Sequence, residues 1–140
     1  MKIWLAVDGS PFTKKMLAYL VTHPELFGAH NAFTVFTAIS PLPPRARAAV
    51  GADVAHNYYD EEAAKVAEPV VTFLARHAIT PTVVHEAGPA GEMIARAATS
   101  GGFDLVMMGS HGHGALANLV MGSVATQVLA HCKVPVLLVR

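Results

Sequence analysis

The chain has 140 residues, 53% of them hydrophobic, and its ten basic and ten acidic side chains balance to a formal net charge of zero. The balanced charge, without a run of Lys or Arg, argues against nucleic acid as a partner, and no apolar run approaches the roughly 18 residues that a membrane span requires. Asp8 also ends the first apolar stretch before a signal-peptide core forms, so we expect a single cytoplasmic domain over residues 1-140.

The first predicted unit is a strand followed by a helix. Residues 2–7 form a nearly continuous apolar run, which is typical of a strand that is covered on both faces. Ser10 followed by Pro11 has the pattern of a helix N-cap and a first helical residue, and apolar residues then recur at helical spacing. Pro24 and Gly28 are expected to close this helix.

The second unit has the same order but contains a long connection. Ala32–Ile39 is rich in β-branched and aromatic residues and predicts a strand. The segment Ser40–Arg47 holds three prolines, which predicts an irregular loop. A helix is then predicted from about Asp60, with acidic residues in its first turn, and Pro69 inside it predicts a kink or a broken turn.

The rest of the chain alternates strands and helices in the same way. The predicted strands are Thr82–Ala87, Asp104–Met108 and Val134–Val139, and the predicted helices between them are Glu92–Ser100 and Val124–His131. Five strands that alternate with four helices favour parallel strands joined by right-handed crossovers. We therefore predict an α/β fold with a three-layer, open, parallel five-stranded sheet.

A glycine-rich segment from Gly109 to Ala125 joins the fourth predicted strand to the next helix. The amide groups at a helix N-terminus are unpaired and lie at the positive end of the helix dipole, so such a segment is typical of anion sites. Its glycines are expected to adopt positive φ and to allow a close approach of the backbone to a ligand. Because ligands of open parallel sheets bind at the carboxyl ends of the strands, we expect a phosphate site beside Asp8 and this segment.

Two common phosphate motifs do not fit this segment. A P-loop needs Lys directly after its second glycine, and Ala115 stands there after Gly114. A dinucleotide fingerprint can be written over Gly112–Ala117, but it follows a late strand, and the next strand offers no acidic residue for a ribose. His111 and His113 have the spacing of a metal-binding pair, yet no Cys or carboxylate is near them in the sequence.

The spacing Gly109-x2-Gly112-x9-Gly122-Ser123 resembles the nucleotide-binding signature of the universal stress protein family, G-2x-G-9x-G-[S/T]. The end of the first strand, Val7-Asp8-Gly9-Ser10, is also similar to that family, whereas Ser40–Tyr59 aligns least well. The resemblance implies a flavodoxin-like or adenine nucleotide α-hydrolase-like sheet of strand order 3-2-1-4-5. It also implies ATP as the ligand, with AMP or ADP and an accompanying Mg²⁺ left open.

The resemblance further implies where each part of the nucleotide lies. By matching position, Asp8 lies at the base and ribose end, the backbone near Ala38 lies beside adenine, and Met108 and Gly109 flank the ribose. The residues that surround the phosphates are His111, Gly112, Gly122, Ser123 and Val124. The Ser123 hydroxyl is expected to cap the helix or to donate to a phosphate oxygen, and a phosphate beside His111 would favour protonation of its imidazole.

Chemistry at this site has few candidate groups, because Gly109–Ala125 contains no Lys, Arg, Asp or Glu. Phosphoryl transfer usually requires cations at the γ-phosphate, so we predict no catalytic residue and a regulatory nucleotide-binding module that signals its occupancy to a protein partner. Two alternatives stay open. One is a slow Mg²⁺-dependent ATPase that uses Asp8, His111 and an arginine of a lid, Arg45 or Arg47. The other is a dimeric stress factor that binds no nucleotide.

The last predicted strand, Val134–Val139, is apolar until Arg140. An apolar strand at the edge of a sheet invites pairing with another chain, and the same strand of a second copy would cover it with two-fold symmetry. The family resemblance implies the same arrangement. We therefore expect a homodimer through this strand.

Overall fold

Five strands form one sheet in a computed structural model that describes residues 1–114 and 118–140. The strands are β1 (Lys2–Ala6), β2 (Ala32–Ile39), β3 (Thr82–Ala87), β4 (Leu105–Gly109) and β5 (Val136–Val139). Their order is β3-β2-β1-β4-β5, and every adjacent pair is parallel. The predicted α/β class, parallel sheet and strand order are confirmed. The glycine-rich segment from Gly109 to Ala125 is described on both sides of residues 115–117, which lie outside the described ranges.

Six helices are described within these ranges. They are α1 (Pro11–Val21), α2 (Pro24–Phe27), α3 (Pro44–Val50), α4 (Ala52–Ala75), α5 (Ala90–Ser100) and α6 (Ser123–His131). The segment expected to close the first helix instead forms the separate short helix α2, because Pro24 occupies a first helical position. None of the helices in the described part of the chain is long and apolar enough to cross a membrane.

The connection between β2 and β3 differs from the prediction of a long irregular loop. Pro44 is the first residue of α3, a position where its missing N–H costs no hydrogen bond. Gly51, with φ of 84°, separates α3 from α4, which begins eight residues before Asp60. The acidic run that starts at Asp60 therefore lies in the third turn of α4, and the prediction that it lies in the first turn was wrong. The helix also continues through Pro69 without a broken turn.

The early turns of α4 escaped the prediction because they bury almost nothing. Ala55 is the only residue before Ala63 that α4 buries, so Ala52–Tyr59 lacks the apolar periodicity by which a helix is recognised. Hydrogen bonding from Gly51 onward and attachment to the buried later turns hold this part in the helix. The start of a half-exposed helix is thus decided by its cap and its neighbours.

The two faces of the sheet carry separate hydrophobic cores. Helices α1 and α4 cover one face, with Met16, Leu20 and Leu74 among its buried side chains, and α5 and α6 cover the other, with Ile94 and Val128. Each fully buried Leu, Ile or Met side chain contributes roughly 1.5–3 kcal/mol relative to an exposed one. The two cores fix β1 and β4 in the centre of the sheet, and the carboxyl ends of these strands are where the candidate site lies.

Candidate functional site

The two central strands send their following helices to opposite faces of the sheet. Helix α1 follows β1 on one face, and α6 follows β4 on the other. This divergence leaves a crevice at the carboxyl ends of neighbouring strands, where ligands of open α/β sheets bind. A cavity of about 330 Å³ occupies it, and we call it the switch-point cavity. Its volume lies in the range of small-molecule sites.

All nine residues that the family resemblance implied line this one cavity. They are Asp8, Ala38, Met108, Gly109, His111, Gly112, Gly122, Ser123 and Val124. Residues far apart in the sequence are thus brought together by the β1–β4 pairing, in which Ala6 lies opposite Met108. Their role in binding a nucleotide stays a prediction.

Asp8 is held rigidly at the end of β1. Its Oδ1 accepts hydrogen bonds from the Ser10 amide and the Thr13 hydroxyl, each at 2.9 Å, and its own amide donates to Thr13 Oγ1 at 3.1 Å. The other carboxylate oxygen, Oδ2, lies beside Gly112, because a Cβ at that glycine would be 2.7 Å from it. Asp8 therefore fixes the first loop with one oxygen and directs the other toward the glycine-rich segment.

Ser10 does not cap α1 with its side chain, contrary to the prediction. Ser10 stands at the N-cap position, yet its hydroxyl makes no capping bond and is buried without a hydrogen-bond partner in the described residues. The backbone explains this, because the Ser10 carbonyl accepts from the amides of Thr13 and Lys14 while Asp8 takes the Ser10 amide. The Ser10 carbonyl thus takes the Thr13 amide that the hydroxyl of a serine cap would usually bind.

The signature glycines act through close packing and not through positive φ. Gly122 has a φ of −74°, and neither Gly109 nor Gly112 is among the described glycines with positive φ, so the expected positive φ is wrong for these three, whereas Gly114 of the same segment has a φ of 72°. A Cβ at Gly109 would lie 2.5 Å from Phe12 Cβ, and one at Gly122 would lie 3.1 Å from His111 Cα. A side chain at Gly109 would collide with α1, and one at Gly122 would force the loop backbone to shift, so these glycines allow close packing against α1 and within the loop.

Helix α6 begins with its unpaired amides beside the cavity. The N-cap is Gly122, and Ser123 is the first helical residue, so the prediction that Ser123 caps the helix was wrong. Gly122 donates to the Ser110 carbonyl at 2.7 Å, and the first intrahelical bond runs from Thr126 to Gly122. The amides of Ser123, Val124 and Ala125 consequently have no intrahelical acceptor.

His111 is bound to the protein through both ring nitrogens. Nδ1 lies 2.8 Å from the Ser110 hydroxyl, Nε2 lies 2.8 Å from the Leu119 carbonyl oxygen, and the ring packs on Phe12. These bonds join the two ends of the glycine-rich segment. They also use the groups with which the imidazole would contact a phosphate, so the His111 backbone is the part that remains available.

His113 is a cavity residue that the sequence prediction considered only as half of a metal pair. Its Nε2 lies 2.7 Å from the Asp8 carbonyl oxygen, which links the glycine-rich segment to the β1–α1 loop across the cavity. The two histidines thus hold separate contacts, and no group of three or more metal-ligating side chains is found within residues 1–114 and 118–140. The spacing of the pair was the only signal for His113 in the sequence.

Cations are absent from the described lining of the cavity. Neither Arg45 nor Arg47, which were considered as lid residues, lines it, and both are exposed on α3. The walls opposite the loop are apolar and include Phe36, Ala90 and Ile94, which sequence reasoning did not assign. Their place depends on how β2 and α5 pack in three dimensions. The site combines an apolar slot, a carboxylate and a helix N-terminus.

Comparison with known proteins gives a consistent set of matches. A model described as the universal stress protein family matches residues 1–140. Universal stress protein Slr1230 of Synechocystis is 43% identical over 53 residues, which are 38% of this chain and 18% of that protein. The chain therefore matches less than a fifth of the length of that curated relative.

Solved structures match over the whole chain at low identity. Universal stress protein UspA from Lactobacillus plantarum has a TM-score of 0.78 at 19% identity, with 100% of this chain and 97% of that one covered. The universal stress protein from Archaeoglobus fulgidus in complex with dAMP has a TM-score of 0.68 at 17% identity, with 100% and 98% covered. At these identities the likeness concerns the fold.

Proposed function

Because the chain belongs to the universal stress protein family, we propose that it is a regulatory module that binds an adenine nucleotide in the switch-point cavity. The observation that carries this proposal is the convergence of the α6 N-terminus, Asp8 and an apolar slot on one cavity. The archaeal neighbour solved with dAMP supports the choice of an adenine nucleotide. ATP, ADP and AMP are the candidate ligands.

The proposed placement follows the chemistry of the lining. The phosphates would lie against the amides of Gly112, Ser123 and Val124, because a helix N-terminus stabilises negative charge. The base would lie in the apolar slot near Ala38, and the ribose near Asp8. Mg²⁺ is usually held by one or two carboxylates together with phosphate oxygens, and Asp8 Oδ2 is the carboxylate oxygen that lines this site.

Binding rather than rapid turnover is the proposed activity. The described lining holds no Lys or Arg to neutralise charge that develops on a transferred phosphoryl group. Backbone amides and a hydroxyl stabilise bound phosphate in the ground state as well as in the transition state. Uniform stabilisation of that kind favours occupancy of the site and leaves the chemical step slow.

Calorimetry on the wild-type chain and Gly122→Val tests this proposal. We expect micromolar binding of AMP, ADP or ATP by the wild type and a loss of about 50-fold or more in Gly122→Val, equal to roughly 2 kcal/mol or more. The Cβ alone would lie 3.1 Å from His111 Cα and 3.2 Å from the Ser110 carbonyl oxygen, so a β-branched side chain must displace the loop.

Ala130→Val is the matched control, because it places the same β-branched side chain at an exposed position of α6. Equal affinities of wild type and Gly122→Val would overturn the assignment of the phosphate loop. Release of phosphate from ATP at more than a few turnovers per minute would favour the slow ATPase. If none of the three nucleotides binds, the result would favour a stress factor that binds no nucleotide.

We also propose that two copies pair through β5. All four residues of β5 are half-buried, and it is the edge strand beyond β4. The Val106 amide donates to the Pro135 carbonyl, and the Ser110 amide donates to the Val139 carbonyl. The backbone groups of the odd-numbered residues therefore point toward β4, and the amides of Val136 and Leu138 point outward. This outer row of backbone groups is what a second copy would pair with.

Leu138→Pro removes one outward amide and leaves the ladder to β4 unchanged. We expect sedimentation equilibrium to give a dimer for the wild type and at least a tenfold higher dissociation constant for the proline variant, since a proline cannot donate to an added strand. Leu138→Ala is the control for the lost side chain. A dimer that is equally tight in all three proteins would contradict pairing through β5.

A further inference from the structure

A second cavity, of about 440 Å³, lies on the α4 side of the sheet, between α4 and the strands β2 and β3. Its lining includes Thr37, Asp60, Glu68 and His85, with alanine and valine side chains between them. We call it the α4–β3 groove. It shares no residue with the switch-point cavity, so what it binds is independent of the proposed nucleotide.

Thr37 brings an unpartnered hydroxyl to this groove. The residue is only 2% exposed, and its Oγ1 has no hydrogen-bond partner among the described residues. On β2 it lies directly opposite His85 of β3 in the sheet register. A buried hydroxyl without a partner costs about 1–3 kcal/mol, so such groups usually have a ligand or a water molecule to bond with. The Thr37 hydroxyl therefore has an unused hydrogen-bonding capacity at the groove.

Helix α4, which forms one wall of the groove, carries more acidic than basic side chains. Helix α4 carries five of the ten acidic residues and one basic residue, Lys65. Lys65 Nζ bonds to Glu62 at 2.8 Å, so it does not neutralise the groove carboxylates of Asp60 and Glu68. Asp60 is faced by imidazoles, with His85 Nε2 at 2.9 Å and His56 Nε2 at 3.5 Å. The charge pattern favours a cationic occupant.

The spacing of the two carboxylates limits the shape of that cation. Asp60 and Glu68 are eight residues apart on α4, which corresponds to about 12 Å along the helix axis. The small side chains between them are Ala64, which is half-buried, and Ala63 and Ala67, which are buried at 4% and 5% exposure. A narrow aliphatic chain with a positive group near each end fits this arrangement, because it covers the alanines and places a charge at each carboxylate.

We propose that the α4–β3 groove binds a linear aliphatic polyamine. Its terminal ammonium groups would pair with Asp60 and Glu68, its methylenes would cover the alanine surface, and an amine N–H would donate to Thr37 Oγ1. A basic peptide fits less well. A strand added to β3 would lie in the plane of the sheet, whereas Thr37 belongs to the inner strand β2 and lines the groove under α4.

The test is an NMR titration of the nucleotide-free chain with spermidine, compared with butylamine and with MgCl2 at equal ionic strength. We expect saturable amide shifts centred on Thr37, Val83 and His85 with spermidine, and about tenfold weaker binding of butylamine, which has a single charge. Glu68→Gln and Thr37→Val should each weaken spermidine binding about tenfold, because each removes one hydrogen-bond partner of a charged group.

Two control variants separate a site from general attraction. Glu61→Gln removes a carboxylate of the same helix that does not line the groove, and Thr34→Val makes the same change as Thr37→Val elsewhere on β2. Both should bind spermidine within about twofold of the wild type. The proposal is overturned if the shifts do not saturate, if MgCl2 reproduces them, or if Glu61→Gln weakens binding as much as Glu68→Gln. Binding of an oligolysine peptide without binding of spermidine would overturn it as well.

Discussion

The switch-point cavity lies at the carboxyl edge of the sheet, the α4–β3 groove lies under α4, and the two use different parts of the polypeptide. One side of the cavity is formed by glycines at 109, 112 and 122 and by the first turn of α6, where the backbone is accessible. The groove is lined by side chains of α4 and β3, including Asp60, Glu68 and His85. The glycine-rich side of the cavity presents uncharged backbone donors beside the single carboxylate of Asp8, whereas the groove presents two carboxylates and an imidazole.

This difference also concerns how tightly each region is packed. Around the cavity, an added Cβ would meet neighbouring atoms at 2.5 Å at Gly109 and 2.7 Å at Gly112. The groove is bordered by valines of β3 that remain exposed, Val83 at 45% and Val84 at 36%. A tightly packed site is sensitive to one added atom, whereas an open groove accommodates it. Substitutions that add or remove methyl and hydroxyl groups in each region therefore test whether the two regions differ in packing.

The largest destabilisation is expected from adding methyl groups, one at Gly109 beside the cavity and two at Ala64 in the groove. Gly109→Ala should lower the free energy of unfolding by about 1–3 kcal/mol, because overpacking forces β4 away from α1. Its Cβ would lie 2.5 Å from Phe12 Cβ and 3.1 Å from the Phe12 carbonyl carbon, and backbone atoms cannot rotate aside. Urea unfolding measured by circular dichroism gives the change.

Ala64→Val is the matched change in the groove and should cost less than about 0.7 kcal/mol, which is the loss of helix propensity. Ala64 is half-buried and lines the open groove, so its added methyls have room. A wild-type urea midpoint for Gly109→Ala would show that the loop relaxes freely, and the contrast between the two regions would then fail.

The backbone-built region could be predicted from the sequence to a large extent. Glycine spacing, a strand signal before Gly109 and a helix signal after Gly122 are local features, and the parallel topology brings Asp8 to the same place. The predicted helix caps were wrong where two groups compete for the same hydrogen bond or the same cap position. The Ser10 carbonyl takes the Thr13 amide expected to bind the Ser10 hydroxyl, and Gly122 takes the N-cap position expected of Ser123.

The side-chain-built region could not be predicted in the same way. Its residues share a groove only because α4 begins at Ala52 and lies across β2 and β3. The sequence signal placed the helix start at Asp60, and His85 gave no sign of facing that residue. Cross-element contacts of this kind depend on helix position and sheet register, neither of which a local pattern contains. The apolar wall formed by Phe36 and Ile94 escaped prediction for the same reason.

A smaller destabilisation than that of Gly109→Ala is expected at the first of two buried threonines, one on each side. Thr13 Oγ1 donates to Asp8 Oδ1 at 2.9 Å and accepts from the Asp8 amide at 3.1 Å, whereas Thr37 Oγ1 has no partner in the described residues. Valine has the same shape without the hydroxyl. We expect Thr13→Val to lower the free energy of unfolding by about 1–2 kcal/mol, since it leaves the Asp8 amide without its acceptor and leaves Asp8 Oδ1 with the Ser10 amide alone.

Thr37→Val should raise the free energy of unfolding by about 0.5–1 kcal/mol in buffer without polyamine, because it replaces an unpaired buried hydroxyl by a methyl group. Urea unfolding of both variants and the wild type gives the sign of each change in the free energy of unfolding. If both substitutions destabilise the protein equally, the Thr37 hydroxyl already has a partner in solution. The groove would then be a satisfied part of the fold, and the expected spermidine dependence on Thr37 would disappear with it. Opposite signs would instead locate an unmet hydrogen bond on the α4 side of the sheet, where a ligand amine could satisfy it.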